Sequence, residues 1–283
     1  MAVTNFIPEI WNASILAEFQ QSAVAAALTN SDYTGDATKG NTVKVTTRVP
    51  VEIKDYKTGV VMDDQATPQP IPRTTAPDTV STTQVDLLID QEKSFDFLID
   101  DIDRAQAAGS LETFSQSAAS GLVEDADKFI LAQLYAANSP LTASAMTTPV
   151  QAWNKIRDLK KALDKAKVPQ AQRVLAINAE YVSLLMDHES KITSVDTSGT
   201  PAGLRDATLG RILGFTVYQS ENLPNVAKPQ AIAWHTSAYA FVSQVTETEA
   251  MRAERTFADR LRGLHVYGGK PVRSTAIAAF TAS

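Results

Sequence analysis

The chain is 283 residues long, 44% apolar and 20% charged, and its 26 basic against 32 acidic residues leave a formal charge of −6. A chain of this size buries about three-quarters of its unfolded surface, so one or two domains can hold a core without disulfide or metal staples. It contains no cysteine, which excludes thiolate catalysis, cysteine-liganded zinc and iron–sulfur clusters. No run of about 18 apolar residues is present to span a bilayer. Met1-Ala2-Val3-Thr4-Asn5-Phe6 also lacks the basic and apolar regions of a signal peptide, so the cytoplasm is the expected place of synthesis and no membrane partner is expected.

Phe6, Ile7, Ile10, Trp11, Ile15, Leu16 and Phe19 recur at spacings of three and four, which predicts a short amphipathic helix with Pro8 in its first turn. The turn-rich stretch Thr29–Asp36 ends it. Such a helix can dock on its own core or on a neighbouring subunit. From Val43 the period changes to two: Val43, Val45, Thr47, Val49, Val51 and Ile53 predict one face of a strand. Val85, Leu87 and Ile89 repeat the pattern, which resumes at Phe95, Phe97 and Ile99, and the two stretches are expected to pair as a long antiparallel arm. Between them Asp55–Val80 is polar and holds Pro68, Pro70, Pro72 and Pro77. A segment of that length is either a surface loop or an extended hairpin that reaches onto a partner.

Asp100-Asp101-Ile102-Asp103 suits the positive end of a helix dipole. The stripe Leu111, Phe114, Ala118, Leu122, Ala126, Phe129, Ile130 and Leu134 extends that helix to about Ala137, a strut of roughly 50 Å. After a linker at Asn138–Pro149 comes an α/β pattern. It consists of a helix over 150–167 with Trp153, Ile156, Leu159 and Leu163 on one face, a strand over 173–177, and a helix over 179–186. Strands are expected at 215–218 and 230–234. The tail from Met251 reads as mostly β, with Gly268-Gly269 as a two-residue hairpin turn.

The search for chemistry is unproductive. His188, His235 and His265 lack the spacing that sets two ligands on one helix face. Ser237 follows His235 closely, but no Gly-x-Ser-x-Gly elbow exists. Gly268-Gly269-Lys270 lacks the remaining elements of a phosphate loop, and Pro271 would obstruct the helix such a loop requires. Gly199–Gly203 does not follow a strand as a dinucleotide fingerprint would. Asp96, Asp100, Asp101 and Asp103 do not match a calcium loop and read as caps and a solvated face. No catalytic, cofactor-binding or metal-binding residues are therefore assigned. Two basic concentrations remain. Lys155, Arg157, Lys160, Lys161, Lys165 and Lys167 read as a solvated helix face, and Arg252, Arg255, Arg260, Arg262, Lys270 and Arg273 suit inter-subunit ion pairs. Either could meet phosphates.

The order of parts resembles the major capsid proteins of tailed bacteriophages, the Hong Kong 97 fold. Ile7-Pro8-Glu9-Ile10-Trp11 is similar to the opening of one branch of that family. Asp86–Phe97 with Asp100–Gln106 is similar to the passage from its extension loop into its spine helix, and Arg252–Gly268 to its closing strands. The resemblance covers nearly the whole chain. It implies an α+β fold with an N-terminal arm (1–38), an extended β-hairpin or extension loop (39–99), the spine helix of a peripheral domain (100–147), an α/β axial domain (148–248), and C-terminal strands that return to the peripheral domain (249–283). It implies a non-enzymatic subunit of an icosahedral head, self-assembling as pentamers and hexamers around double-stranded DNA. Further implied partners are a separate scaffolding protein, since the chain begins at the arm, a portal protein and a decoration protein. The virion is the implied location. Lys54 and Lys57 lie where some relatives cross-link, but no partner motif matches and no cross-link is expected. A compartment shell of the encapsulin kind, or a soluble α/β hydrolase using His235 or His188, are the alternatives. Because 55–80 has so few large apolar residues, limited proteolysis should cut it faster in free subunits than in assembled shells; equal rates would refute this.

Overall fold

The computed structural model describes residues 25–33, 41–49, 51, 53, 59–62, 66, 68–71, 79–80, 82–101, 111–138, 140–187, 210–225 and 227–283. The predicted helix around Trp11, Lys54, Lys57, His188, Asp103 and Gly199–Gly203 lie outside them.

Two units can be distinguished: one of residues 1–43 with 87–283, the other of 44–86. In the smaller unit, β2 (Gly59–Met62) pairs antiparallel with β3 (Pro68–Ile71), with Pro70 opposite Val60 and Pro68 opposite Met62. Proline lacks the ladder N–H, so it is tolerated in a two-stranded ribbon whose strands are both edges. Most of β1 (Thr42–Arg48) and its neighbour β4 (Thr82–Leu88) also belong here. The period-two pattern of β1 is expressed only in part. Val43 and Val45 are buried, but the strand ends at Arg48, and Val49, Val51 and Ile53 stand 42%, 64% and 97% exposed.

The larger unit is built on a five-stranded sheet ordered β12-β9-β6-β8-β7. Its members are β6 (Arg173–Ile177), β7 (Arg211–Ile212), β8 (Phe215–Gln219), β9 (Gln230–His235) and β12 (Ile277–Thr281). The central strand β6 runs parallel to β8 and antiparallel to β9, which continues antiparallel to β12. Helices cover both faces. On one side, α1 (Leu111–Ala136) sets Ala126, Ile130, Leu131 and Leu134 against Val174, Ala176, Ile232, Trp234, Ile277 and Ala279. On the other, α2 (Pro149–Lys165) and α3 (Ala179–Leu185) set Ile156, Leu159, Leu163, Tyr181 and Leu185 against Leu175, Ile177, Ala231, Ala233, Ala278 and Phe280. Successive strand residues thus enter opposite cores, which is why β6, β9 and β12 read as nearly continuous apolar runs.

The ends of α2 are written locally. Pro149 occupies the first turn, and Thr148 and Gln151 cap each other's backbone N–H groups in a capping box. At the start of α3, the Asn178 side chain accepts from the N–H groups of Tyr181 and Gln230 and donates to Lys228 O at 2.7 Å, tying the helix to β9.

A three-stranded antiparallel sheet, β10-β11-β5, completes the unit from β5 (Gln91–Asp100), β10 (Tyr239–Arg252) and β11 (Ala258–Pro271). β10 runs across residue 248, and β12 shares its sheet with β6 and β9.

Two expectations are corrected. Phe95, Phe97 and Ile99 alternate as anticipated, but β5 pairs with β11, while β4 alone serves as neighbour of β1. Asp100 closes β5 and Asp101 is already helical, residues 102–110 lie outside the described ones, and α1 is described over Leu111–Ala136. Gly268-Gly269 is not a turn: both glycines lie inside β11, opposite Val242 and Phe241, and the β10–β11 connection is made by 253–257. Close approach explains them. A Cβ on Gly268 would run into the Leu88 carbonyl oxygen and come within 2.7 Å of Ile89 Cα, and one on Gly269 would fall 2.8 Å from the Tyr239 ring. Gly268→Ala should therefore lower the urea midpoint by the equivalent of about 1–3 kcal/mol with the m-value unchanged; a midpoint equal to that of the native chain would show that the backbone yields.

Candidate interaction surfaces

Of the residues singled out for chemistry, His235, Ser237, His265 and Lys270 lie among the described ones. His235 Nδ1 accepts the Ser237 N–H at 3.1 Å and lies 2.9 Å from Ser237 Oγ, so it caps the short turn Thr236–Ala238. Burial, then Arg273 and Arg173, push its imidazole below the ordinary range. Among the described residues, no carboxylate is hydrogen-bonded to His235 to complete a triad, and no group of three metal-ligating side chains occurs. Lys270 follows two glycines held in a strand, so no phosphate loop forms.

The arginines of the tail find partners within the chain. Arg252 bridges Asp101 and Asp259, bonding to Asp101 Oδ1 at 2.8 Å and Asp259 Oδ1 at 2.9 Å. Arg260 forks onto Asp96 of β5, and Arg262 holds Glu249 of β10 at 2.8 Å. The guanidinium beside Asp96 keeps its carboxyl below the usual carboxylate range. These exposed pairs add little stability singly, but they link all three strands on the sheet's outer face and fix its register. A cleft of about 310 Å³ opens there, lined by residues that include Asp96, Glu247, Glu249, Arg262 and Leu264. Leu98, Met251, Leu264 and, at the hairpin tip, Phe257 are exposed, Phe257 to 81%.

The inner face of the same sheet carries a polar cluster against α1. Tyr267 donates to Asp125 Oδ2 at 2.7 Å, Lys93 lies 3.5 Å from the same oxygen, and His265, 4.8 Å from the Tyr267 ring, pairs with Ser243 Oγ at 3.1 Å. Lys93 is the cross-strand neighbour of His265. Burial holds the His265 imidazole below its ordinary range, against an opposing pull from Asp125.

Sequence reasoning missed the most deeply buried charged side chain among the described residues, Asp127 on α1, which is 1% exposed. It accepts the Ala25 N–H at 2.6 Å and the Asn222 amide at 2.9 Å. From there residues 25–33 are stitched to their own chain. Trp234 Nε1 donates to Leu28 O at 3.2 Å, and Asn30 exchanges backbone bonds with Tyr239 and Phe241 as a short parallel bridge. The available signal was an acid placed next to Ala126 inside an apolar stripe.

On α2 the expected basic face is present. Lys155 sits 4.8 Å over the Phe280 ring, Arg157 pairs with Asp158, and Asp164 is held at 2.7 Å by the buried Arg173.

Comparison with known proteins follows this geometry closely. A solved chain of Mycobacterium phage Che8 is 45% identical over 99% of this chain and 98% of that one, with a TM-score of 0.87. The capsid structure of cyanophage P-SCSP1u (13% identity, TM-score 0.78) covers 100% of this chain and 95% of that chain. The mature capsid of bacteriophage PhiM1 (12%, 0.72) covers 97% and 91%. No family model matches the chain, and no curated protein matches it.

Since the folded His265 pKa is depressed, the unfolded chain binds the extra proton first. The stability this residue contributes is complete above about pH 6.5, its unfolded value, and falls as the solution is acidified below it. His265→Gln should thus flatten the loss of urea midpoint between neutral and mildly acid pH; an undiminished slope would assign that loss elsewhere.

Proposed function

The chain belongs to the major capsid proteins of tailed bacteriophages and is a structural subunit of the virion, and from that premise we propose how its parts serve the shell. Subunits gather as pentamers and hexamers into a closed icosahedral head around double-stranded DNA. Residues 1–38 form a strap, 39–99 an extension loop over the adjacent subunit, and 100–147 with 249–283 the peripheral domain. Residues 148–248 form the axial domain around the local symmetry axes, its sheet completed by β12. A separate scaffolding protein guides closure, a portal protein occupies one vertex, and a decoration protein is a further possible partner. The protein performs no catalysis.

The observation that carries the assembly reading is the 45% identity to the phage chain over 99% of this one. The apolar row left open beyond β1 supports it. Val51 and Ile53 are 64% and 97% exposed, and Val80 is 76% exposed in the same unit. A soluble monomer gains nothing from leaving such side chains in water, whereas a subunit that buries them against a copy of itself does. Each contact can be weak, because closure repeats it over the whole shell.

Size-exclusion chromatography followed by negative-stain electron microscopy, without and with the cognate scaffolding protein, tests this. Closed shells, tubes, or rings of five and six are expected. A strictly monomeric species under both conditions would overturn the reading.

A further inference from the structure

We propose that the outward face of α2 and the turn that follows it are a sequence-independent contact for the phosphate backbone of double-stranded DNA, made by Lys161 and Lys165 in a row with Arg157, by Lys160 at the flank of the helix and by Lys167 just past its end. The inference rests on the reading of the chain as a DNA-enclosing shell and adds which face of the subunit meets the duplex.

The geometry of the helix supplies the first argument. Ala152, Ile156, Leu159 and Leu163 are buried in the core beneath it. At 3.6 residues per turn, Arg157, Lys161 and Lys165 then lie on the opposite side, one above another at spacing four. Lys161, Lys165 and Lys167 are exposed and Lys160 is half-buried. From Arg157 to Lys165 the row extends about 12 Å, a distance over which B-form DNA presents roughly seven phosphates.

Charge accounting supplies the second. On the three-stranded sheet and α1, several cations meet carboxylates: Arg252, Arg260 and Arg262, Lys93 with Asp125, and Lys128 with Glu124. On α2 the two acids of the helix are already engaged, Asp158 by Arg157 and Asp164 by Arg173. Among the described residues, the side chains of Lys160, Lys161, Lys165 and Lys167 make no ion pair or hydrogen bond. In a chain of net charge −6 they form a locally cationic surface with no internal use.

The third argument separates DNA from an acidic protein partner. Protein interfaces are depleted in lysine and anchored by aromatic and apolar side chains. This face has none: Val150, in the first turn and remote from Lys161 and Lys165, is the one exposed large apolar residue of the helix. Protein–DNA surfaces are polar, positively charged and wet. Flexible lysines, with no arginine fork directed at a base edge, fit a contact that tolerates any sequence.

The test is the salt dependence of binding. The full-length protein is titrated with a short fluorescent duplex between about 50 and 200 mM salt, where each phosphate contact adds about 0.9 to the slope of log K against log salt. Replacing the four lysines together by glutamine should reduce that slope by about 3.6, and Lys161→Gln alone by about 0.9. The single variant guards against a fold defect in the fourfold one, as does an unchanged circular dichroism spectrum. Arg255→Gln, in the β10–β11 connection, should leave the slope unchanged. A fourfold variant that folds and keeps the native slope overturns the inference, as does absence of duplex binding by the native chain. Polyglutamate binding as tightly as DNA also overturns it, in favour of an acidic protein. Electron microscopy of the same preparations separates this from the assembly reading: variant shells with an unaltered DNA slope sink the inference and spare the shell, and a native chain that forms no shells sinks the shell.

Discussion

A carboxylate with almost no access to water organises this fold. Asp127 emerges from the half of α1 that otherwise contributes Ala126, Ile130, Leu131 and Leu134 to the core, and burying it would cost several kcal/mol if it were left without hydrogen-bond partners. The Ala25 N–H and the Asn222 amide help meet that need, at about 1.5–3 kcal/mol for each bond to a charged group. The consequence is positional. The chain entering from the N-terminus must pass beside α1 at residue 25, the loop before β9 must close onto the same helix, and Leu28 and Asn30 are then within reach of Trp234 and β10. One buried charge thereby aligns the long helix, the five-stranded sheet and the first strand of the three-stranded sheet.

The two sheets solve opposite problems. The five-stranded sheet is covered on both faces, so its strands carry little but apolar side chains and its stability is hydrophobic. The three-stranded sheet has one face against α1 and one face outward, and the outward face is held by ion pairs that cross from β10 to β11 and from β11 to β5. Its glycines belong to the same design: Gly268 and Gly269 let β11 lie flush against the backbone of 88–89 and the ring of Tyr239. A side chain there would push the strand away from the segment that joins β4 to β5.

What could be read in advance follows from the range of the interactions. The α/β segment was legible nearly to the residue, because the stripe Ile156–Leu159–Leu163 and the runs at 173–177 and 230–234 are local signals. The corrections all concern partners distant in sequence. The alternation of Phe95, Phe97 and Ile99 announces a strand but not that its neighbour is β11, over 150 residues away. A Gly-Gly pair fits a turn as well as a close approach, and only the tertiary position of Leu88 decides between them. Asp127 is the extreme case, since its meaning lies in residues about 100 positions away on either side. For surfaces the same rule holds: basic residues were visible in both concentrations, but their carboxylate partners across strands were not.

That last distinction bears on the proposal that a subunit of negative net charge builds a container for a polyanion. Where arginines meet carboxylates within the chain, the surface is locally neutral and its geometry is fixed before any partner arrives, so association there costs little rearrangement. Where apolar side chains are left open, as at Val51, Ile53 and Phe257, the driving force is desolvation, which salt does not screen and which does not depend on the charge of the partner. On that proposal, shell cohesion resting on those sites would persist through changes of ionic strength that alter every charge-based contact with the packaged molecule. A lysine face of the kind α2 presents would respond in the opposite sense, weakening as salt rises. Placing cohesion and cargo contact on chemically different surfaces allows one to be strong in sum while the other stays labile.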